Sequence, residues 1–163
     1  MHHTPWLKRS PFRILVKIVH LYVHGWNSHA NARKAQLLQS ELDNHKLFSC
    51  TPLTLKNHPR EAIEQLKEFI ESKQSEFVVH LIGSSLGGYY STYVAEEMNL
   101  KAAMINPAVW AYKIFENDRG ENVNPNTGEE YFIDQLWIDS LEDIFIENPT
   151  PERYLVLLQT GDD

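Results

Sequence analysis

The sequence is short of four things, and each absence excludes something. It has one cysteine, Cys50, in 163 residues. A lone thiol makes no internal disulfide, so stability must come from a core, and the expected setting is a reducing, cytoplasmic one. No apolar run approaches the roughly 18 residues that a membrane-spanning helix needs. Positive charge is scarce: 15 Lys and Arg against 22 Asp and Glu leave a net charge of −7. That balance gives no electrostatic footprint for nucleic acid or an anionic membrane. Finally, the eight histidines stand at positions 2, 3, 20, 24, 29, 45, 58 and 80, and none follows.

The length predicts one domain, and 42% apolar residues are enough to build its core. A basic start (Lys8, Arg9, Arg13) leads into an apolar stretch, Ile14 to Val23, in the outline of a signal peptide. Lys17 and His20 interrupt that stretch and no Ala-x-Ala-like cleavage site follows, so it reads as a strand. Residues 1–12 carry no periodic pattern and read as a poorly ordered extension. Residues 13–163 read as the domain.

The chain is organised around FVVHLIGSSLGGYY, Phe77 to Tyr90. Phe77, Val78, Val79, Leu81 and Ile82 form a short apolar run with β-branched bias, which predicts a buried strand. A turn through Gly83-Ser84-Ser85-Leu86-Gly87 follows. From Gly88 to Met98, Tyr90, Tyr93, Val94 and Glu97 recur at helical spacing. Strand, glycine-flanked serine and helix together make G-x-S-x-G a nucleophile elbow. Such a turn pushes the Ser85 hydroxyl out above the sheet. Gly83 and Gly87 leave room where strand and helix backbones approach. The Leu86 N–H lies at the helix N-terminus, where an oxyanion can bind. The plainer alternative is a glycine-rich turn with a serine cap.

Upstream, the Ile14–Val23 run leads into His24-Gly25-Trp26-Asn27-Ser28. A strand ending in His-Gly about sixty residues before a serine elbow is the usual place for a second oxyanion donor, here the Trp26 N–H. Otherwise His24-Gly25 is only a turn and Trp26 a loop aromatic. His24 precedes the serine and reads as a residue that orients the loop, not as a base. A residue from Ser28 to Asn31 can cap a helix whose apolar face is Ala32, Ala35, Leu38 and Leu42. Leu47 to Thr51 reads as a strand that Thr51-Pro52 ends. Cys50 reads as core, since nothing nearby supplies a base. Pro59 starts a helix with an apolar stripe of Ala62, Ile63, Leu66, Phe69 and Ile70, running through Ser72. Lys101 to Asn106 and Tyr154 to Gln159 are further strands. Strands alternating with helices predict a parallel sheet with right-handed crossovers.

From Ala108 to Pro151 the pattern loosens. Trp110, Tyr112, Phe115, Tyr131, Phe132 and Trp137 lie among polar residues, with turn signals at Asp118-Arg119-Gly120 and Asn124-Pro125-Asn126-Thr127-Gly128. This stretch, 108–151, reads as a cap-like insertion. Its aromatics either line an acyl pocket or pack the insertion against the body.

The segments LYVHGWNSHANARKAQLL, LIGSSLGGYYSTYVAEEMNLKAAMINPAV, ENVNPNTGEEY and LLQTGDD resemble, in order and spacing, the YqiA-like esterases, a family of small bacterial α/β-hydrolases. The resemblance runs from about Leu21 to Asp163. It implies a three-layer α/β-hydrolase fold with a mostly parallel sheet. It implies a serine hydrolase of carboxylic acyl esters or thioesters that needs no metal or organic cofactor, with a small-molecule acyl substrate as its partner. The nucleophile it implies is Ser85. The acid lies in the segment matching Thr160-Gly161-Asp162, where Asp162 is preferred to Asp163. In this fold the catalytic order is serine, acid, histidine, and no histidine follows Ser85. The family's closing helix, strand and Gly-Asn-His-type loop have no counterpart. The expectation is therefore a chain that lacks its last helix and strand and whose catalysis is impaired. The alternatives are that another residue does the histidine's work, with His24 and His29 on loops near the site, or that the chain is a catalytically inactive, hydrolase-like binding protein.

Overall fold

The computed structural model describes residues 16–159. Five strands form one parallel sheet: β1 (Ile18–Val23), β2 (Phe48–Leu53), β3 (Val78–Ser84), β4 (Lys101–Ile105) and, last in the chain, β7 (Tyr154–Leu157), in the order β2-β1-β3-β4-β7. Side chains alternate across each strand, which sorts them into two layers. Val19, Leu21, Val23, Val79, Leu81, Ala102 and Met104 face the larger cluster, against helices α2 (Pro59–Lys73) and α3 (Leu86–Met98). Tyr22, Cys50 and Ile82 face the other way, against Ala35, Leu38 and Leu42 of α1 (Arg33–Asp43). Helices on both faces of a parallel sheet make the three-layer α/β-hydrolase architecture that the sequence implies.

Local signals account for most of the element ends. Pro59 sits in the first turn of α2, and the His58 side chain caps it by accepting from the Arg60 N–H. Asn99 ends α3 in the left-handed region, as helix C-termini favour. Two boundaries depart from the sequence reading. Pro52 lies within β2 instead of ending the strand. Because β2 is the sheet edge, a missing N–H costs no ladder bond on the open side. In α1 the cap position is Ala32 and no side chain caps it, so none of Ser28 to Asn31 plays that part.

The loosely patterned stretch is built. After β4 come α4 (Ala111–Ile114), a 3-10 turn (Phe115–Asp118), an antiparallel hairpin of β5 (Gly120–Val123) and β6 (Glu130–Ile133), and α5 (Gln135–Glu142). Asp134 caps α5 by accepting from the Trp137 N–H at 2.8 Å. Ile133, Trp137, Ile138 and Leu141 are buried in the same cluster as the sheet residues. On the far side, β7 is an edge strand whose Leu155, Val156 and Leu157 are all exposed.

The order of strands positions the site. β1 is flanked by β2 on one side and β3 on the other, so the chain leaves the sheet in opposite directions after β1 and after β3. That switch point opens a crevice at the carboxyl ends of these two strands, which is where parallel sheets bind ligands. Val23 pairs with Gly83, so the next residues of each strand, His24-Gly25 and Ser84-Ser85, leave the sheet side by side.

Candidate active site

Ser84 and Ser85 are neighbours with opposite surroundings. Ser84 is the last residue of β3 and is buried, with Lys34 Nζ 3.5 Å from its hydroxyl. Ser85 is exposed and has φ 53° and ψ −122°, a conformation that a non-glycine residue rarely holds. Its backbone is fixed from three directions. Its N–H donates to Ile105 O at 3.1 Å, and its carbonyl accepts from Gly88 N at 2.9 Å and from Ala108 N at 3.1 Å. The end of β4, the residues just after it and the first turn of α3 thus hold the turn, while among the described residues the hydroxyl has no hydrogen-bond partner.

The glycines around the turn are spacers. A Cβ on Gly83 would stand 2.5 Å from Gly87 O and 2.6 Å from Ser91 Oγ. One on Gly87 would collide with Val23 O and stand 2.5 Å from His24 O. A Cβ on Gly25 would lie 3.1 Å from Ser85 Cβ and 3.6 Å from its Oγ. The last of these shows how closely the loop after β1 approaches the serine. Trp26 follows Gly25 directly. Neither the Trp26 N–H nor the Leu86 N–H, the latter in the first turn of α3, has a hydrogen-bond acceptor among the described residues. Two free main-chain donors therefore flank an exposed hydroxyl.

His24 is occupied. It is buried, its Nδ1 donates to Gly25 O at 2.8 Å and its Nε2 accepts from the Leu55 N–H at 3.0 Å. Burial pushes its pKa below the ordinary value, against the opposing pull of the Gly25 hydrogen bond. With both nitrogens engaged it holds the loop after β1 to the loop after β2. His29 Nδ1 accepts from the Asn31 N–H. His80 lies within β3 beside His20 of β1, ring centroids 5.5 Å apart. Ser85 lies five positions beyond His80, about 16 Å of rise. None of these histidines hydrogen-bonds Ser85. Asp162, the acid that the family resemblance implies, lies outside the described residues. Cys50 is buried, and burial chiefly raises its pKa to about 11, with Asp43 adding to the effect, so it stays a thiol.

The aromatics of the 108–151 stretch divide between the two expectations. Trp110 and Tyr112, with Tyr89, Thr92, Pro107 and Phe145, line a groove of about 560 Å³ that adjoins the Ser85 turn through Pro107 and Ala108. Phe115 and Trp137 are buried core. Phe132 is exposed outside that groove. Tyr131 packs against the core cluster, and its hydroxyl accepts from Trp26 Nε1 at 2.6 Å and donates to Asn27 Oδ1 at 2.8 Å. Asn126 Nδ2 donates to Asn27 O at 2.5 Å. The sequence alone assigns no role to Asn27 or Asn126 and gives Tyr131 only as an aromatic of the pocket or of the packing. The only hint was that Asn124-Pro125-Asn126-Thr127-Gly128 belonged to a segment matching the family. Among the described residues no helix is long and apolar enough to cross a membrane, and no cluster of three or more metal-ligating side chains occurs.

Solved structures share this fold at low sequence identity. Est1E from Butyrivibrio proteoclasticus, with ferulic acid bound, aligns with a TM-score of 0.63 at 14% identity over 92% of this chain and 82% of its own. The esterase domain of a Rhodothermus marinus protein gives 0.58 at 20% identity over 86% of this chain and 63% of that one. A structure from Agrobacterium vitis S4 gives 0.59 at 13% over 79% of this chain. The chain spans less than two thirds of the length of these last two, 63% and 62%. These likenesses establish the α/β-hydrolase fold. The model of the Uncharacterised protein family UPF0227 matches residues 19–163, nearly the whole chain. By that match, which agrees with the YqiA-like resemblance of its motifs, the chain belongs to the UPF0227 family.

Proposed function

We propose that this is a serine hydrolase of the carboxylesterase type, acting on acyl esters or thioesters through an acyl-enzyme on Ser85. One observation carries the reading: an exposed serine in a strained turn, with Gly25 against its side chain and two unpaired main-chain donors beside it. Strain of about 1–3 kcal/mol at such a residue persists only where the surrounding structure enforces it.

In this reading Ser85 Oγ attacks the carbonyl carbon of the substrate. Its proton would pass to a histidine oriented by Asp162, which the residues after Ser85 in this sequence do not supply, and the carbonyl oxygen takes the negative charge. The Trp26 and Leu86 N–H groups stabilise that charge, which develops only as the transition state forms. The alcohol or thiol leaves with the proton, and water then releases the acid from Ser85. Backbone dipoles do the electrostatic work, so neither metal nor organic cofactor is required. Residues 108–151 act as the cap, and the acyl group lies in the groove of Trp110, Tyr112 and Phe145.

The base is the missing part. No histidine follows Ser85 in this sequence, and His24 has both nitrogens engaged. Without a base the serine stays a neutral alcohol. About 10³–10⁴-fold catalysis over water is what the oxyanion hole and binding supply alone. The engagement of both His24 nitrogens favours one second reading: a hydrolase-like protein that binds acyl compounds without turning them over.

A fluorophosphonate probe separates the two. The hydrolase reading expects labelling of Ser85 that is lost in Ser85→Ala. A folded sample that takes up no probe supports the binder or a hydrolase chain without its base. Turnover of p-nitrophenyl esters against acyl-CoA thioesters then distinguishes the ester class.

A further inference from the structure

The turn that carries the Trp26 N–H has little to hold it from within. Its one internal backbone bond, Ser28 N–H to Gly25 O, is long at 3.3 Å. Asn27 sits at φ 51°, in the left-handed region. His24 Nδ1 donates to Gly25 O, and the contacts to Trp26 and Asn27 come from about a hundred residues downstream. Tyr131 OH bonds Trp26 Nε1 and Asn27 Oδ1, and Asn126 Nδ2 bonds Asn27 O. The Trp26 ring also meets the edge of Phe115, centroids 4.9 Å apart.

The hairpin that reaches over is itself anchored. Asn124 is buried; its Oδ1 accepts from the Asn126 N–H, and its Nδ2 donates to Asn57 Oδ1. Trp137, just beyond the hairpin, donates Nε1 to Asn57 O and is buried in the core. Ile133, at the end of β6, is fully buried. A fixed post therefore grips a soft turn.

We propose that Tyr131 is a positioning residue of the oxyanion loop: its hydroxyl fixes Trp26 and Asn27 so that the Trp26 N–H stays aimed at the oxygen of a substrate on Ser85. This rests on the serine-hydrolase reading above. Tyr131 OH both accepts and donates, so it must stay protonated. Burial raises its pKa against the opposing effect of the two hydrogen bonds, which keeps the donor at neutral pH.

Tyr131→Phe keeps the ring and removes both bonds. Two measurements are needed: ¹⁵N relaxation of the amides of residues 25–28, and the rate of fluorophosphonate labelling of Ser85, resolved into the bound-probe rate and probe affinity. The expected result is greater mobility at Trp26 and Asn27, together with a bound-probe rate reduced about tenfold or more at unchanged affinity, as misplacing one oxyanion donor predicts. Phe132→Leu, a change at the exposed neighbour, leaves both measurements as in the wild type. Amides as rigid in Tyr131→Phe as in the wild type overturn the proposal, whether or not Ser85 labels. Loosened amides with an unchanged labelling rate also overturn it, since the contact is then structural only. If wild-type Ser85 takes up no probe, the turnover proposed above fails for this chain, as a serine without a base predicts. The grip on the turn is then judged by relaxation alone, where loosened amides uphold it.

Discussion

Gly87→Ala tests the packing on which the site depends, because two effects of opposite sign compete there. Gly87 is in the first turn of α3. Helix propensity alone makes alanine better than glycine by about 1 kcal/mol. The structure opposes this. The added Cβ would collide with Val23 O and stand 2.5 Å from His24 O and 2.6 Å from Val23 C. All three are backbone atoms at the end of β1, so no rotamer change relieves the contact. Either α3 or the end of β1 must shift to admit it. Overpacking of this kind costs about 1–3 kcal/mol, and rigid backbone on both sides places it at the upper end. The net expectation is destabilisation by about 2 kcal/mol, which for a chain of this size lowers Tm by about 4–8 °C. Denaturant unfolding followed by circular dichroism reads the change directly. The displaced residues are those that lead into Gly25 and Trp26, so Ser85 labelling falls as well. A Gly87→Ala protein as stable as the wild type, or more so, would refute the claim that α3 is seated against β1 this closely.

Three further outcomes follow from the same structure. Ser85→Gly relieves a backbone conformation worth about 1–3 kcal/mol, less about 0.5–1 kcal/mol for glycine's greater freedom when unfolded, so denaturant unfolding should show a protein about 1 kcal/mol more stable that no longer labels. Glu96 accepts from Tyr154 OH, from Thr150 N and Oγ1, and from Arg153 Nε, tying α3 to the approach to β7. Burial acts to raise its pKa, but these bonds and the Arg153 charge outweigh it, and the net shift is downward. A carboxylate with a lowered folded pKa stabilises above its unfolded pKa and loses that stabilisation as pH falls through the folded value. Glu96→Gln is therefore expected to cost about 1.5–3 kcal/mol at neutral pH, with the difference from wild type shrinking as urea melts are repeated below about pH 4. His20, His24 and His80 are all shifted downward, chiefly by burial. The unfolded chain then takes up protons first, so stability should decline as pH falls below about 6.5; urea midpoints flat from pH 7 to pH 5 would contradict this.

The sheet and its helices were legible in the sequence because each element announces itself locally. β3 is an apolar run, α2 opens on Pro59, and α1 carries Ala35, Leu38 and Leu42 on one face. The 108–151 stretch was not legible as elements. Its strands are only four residues each and its longest helix eight, too short for a period to emerge. Their stability comes from Ile133, Trp137 and Leu141 entering a core contributed mostly by other segments. Pro52 was misread because edge position is a property of the sheet and no local signal carries it.

The site divides along the same line, and the division says where its control lies. The serine, its flanking glycines and the first-turn donor are local to one turn, so a motif of five residues reveals them. The second donor is carried by a turn that Asn27 shapes locally, at φ 51°, and that Asn126 and Tyr131 hold from the hairpin. Hydrogen bonds between segments so far apart along the chain are written in no single stretch of sequence. The two donors therefore differ in robustness. The Leu86 N–H is fixed by its own helix and persists while α3 persists. The Trp26 N–H is only as well aimed as the hairpin is well seated. On the proposed reading, changes in the 108–151 stretch weaken the oxyanion site without touching Ser85, whereas changes in α3 that spare its first turn leave the elbow's own geometry in place.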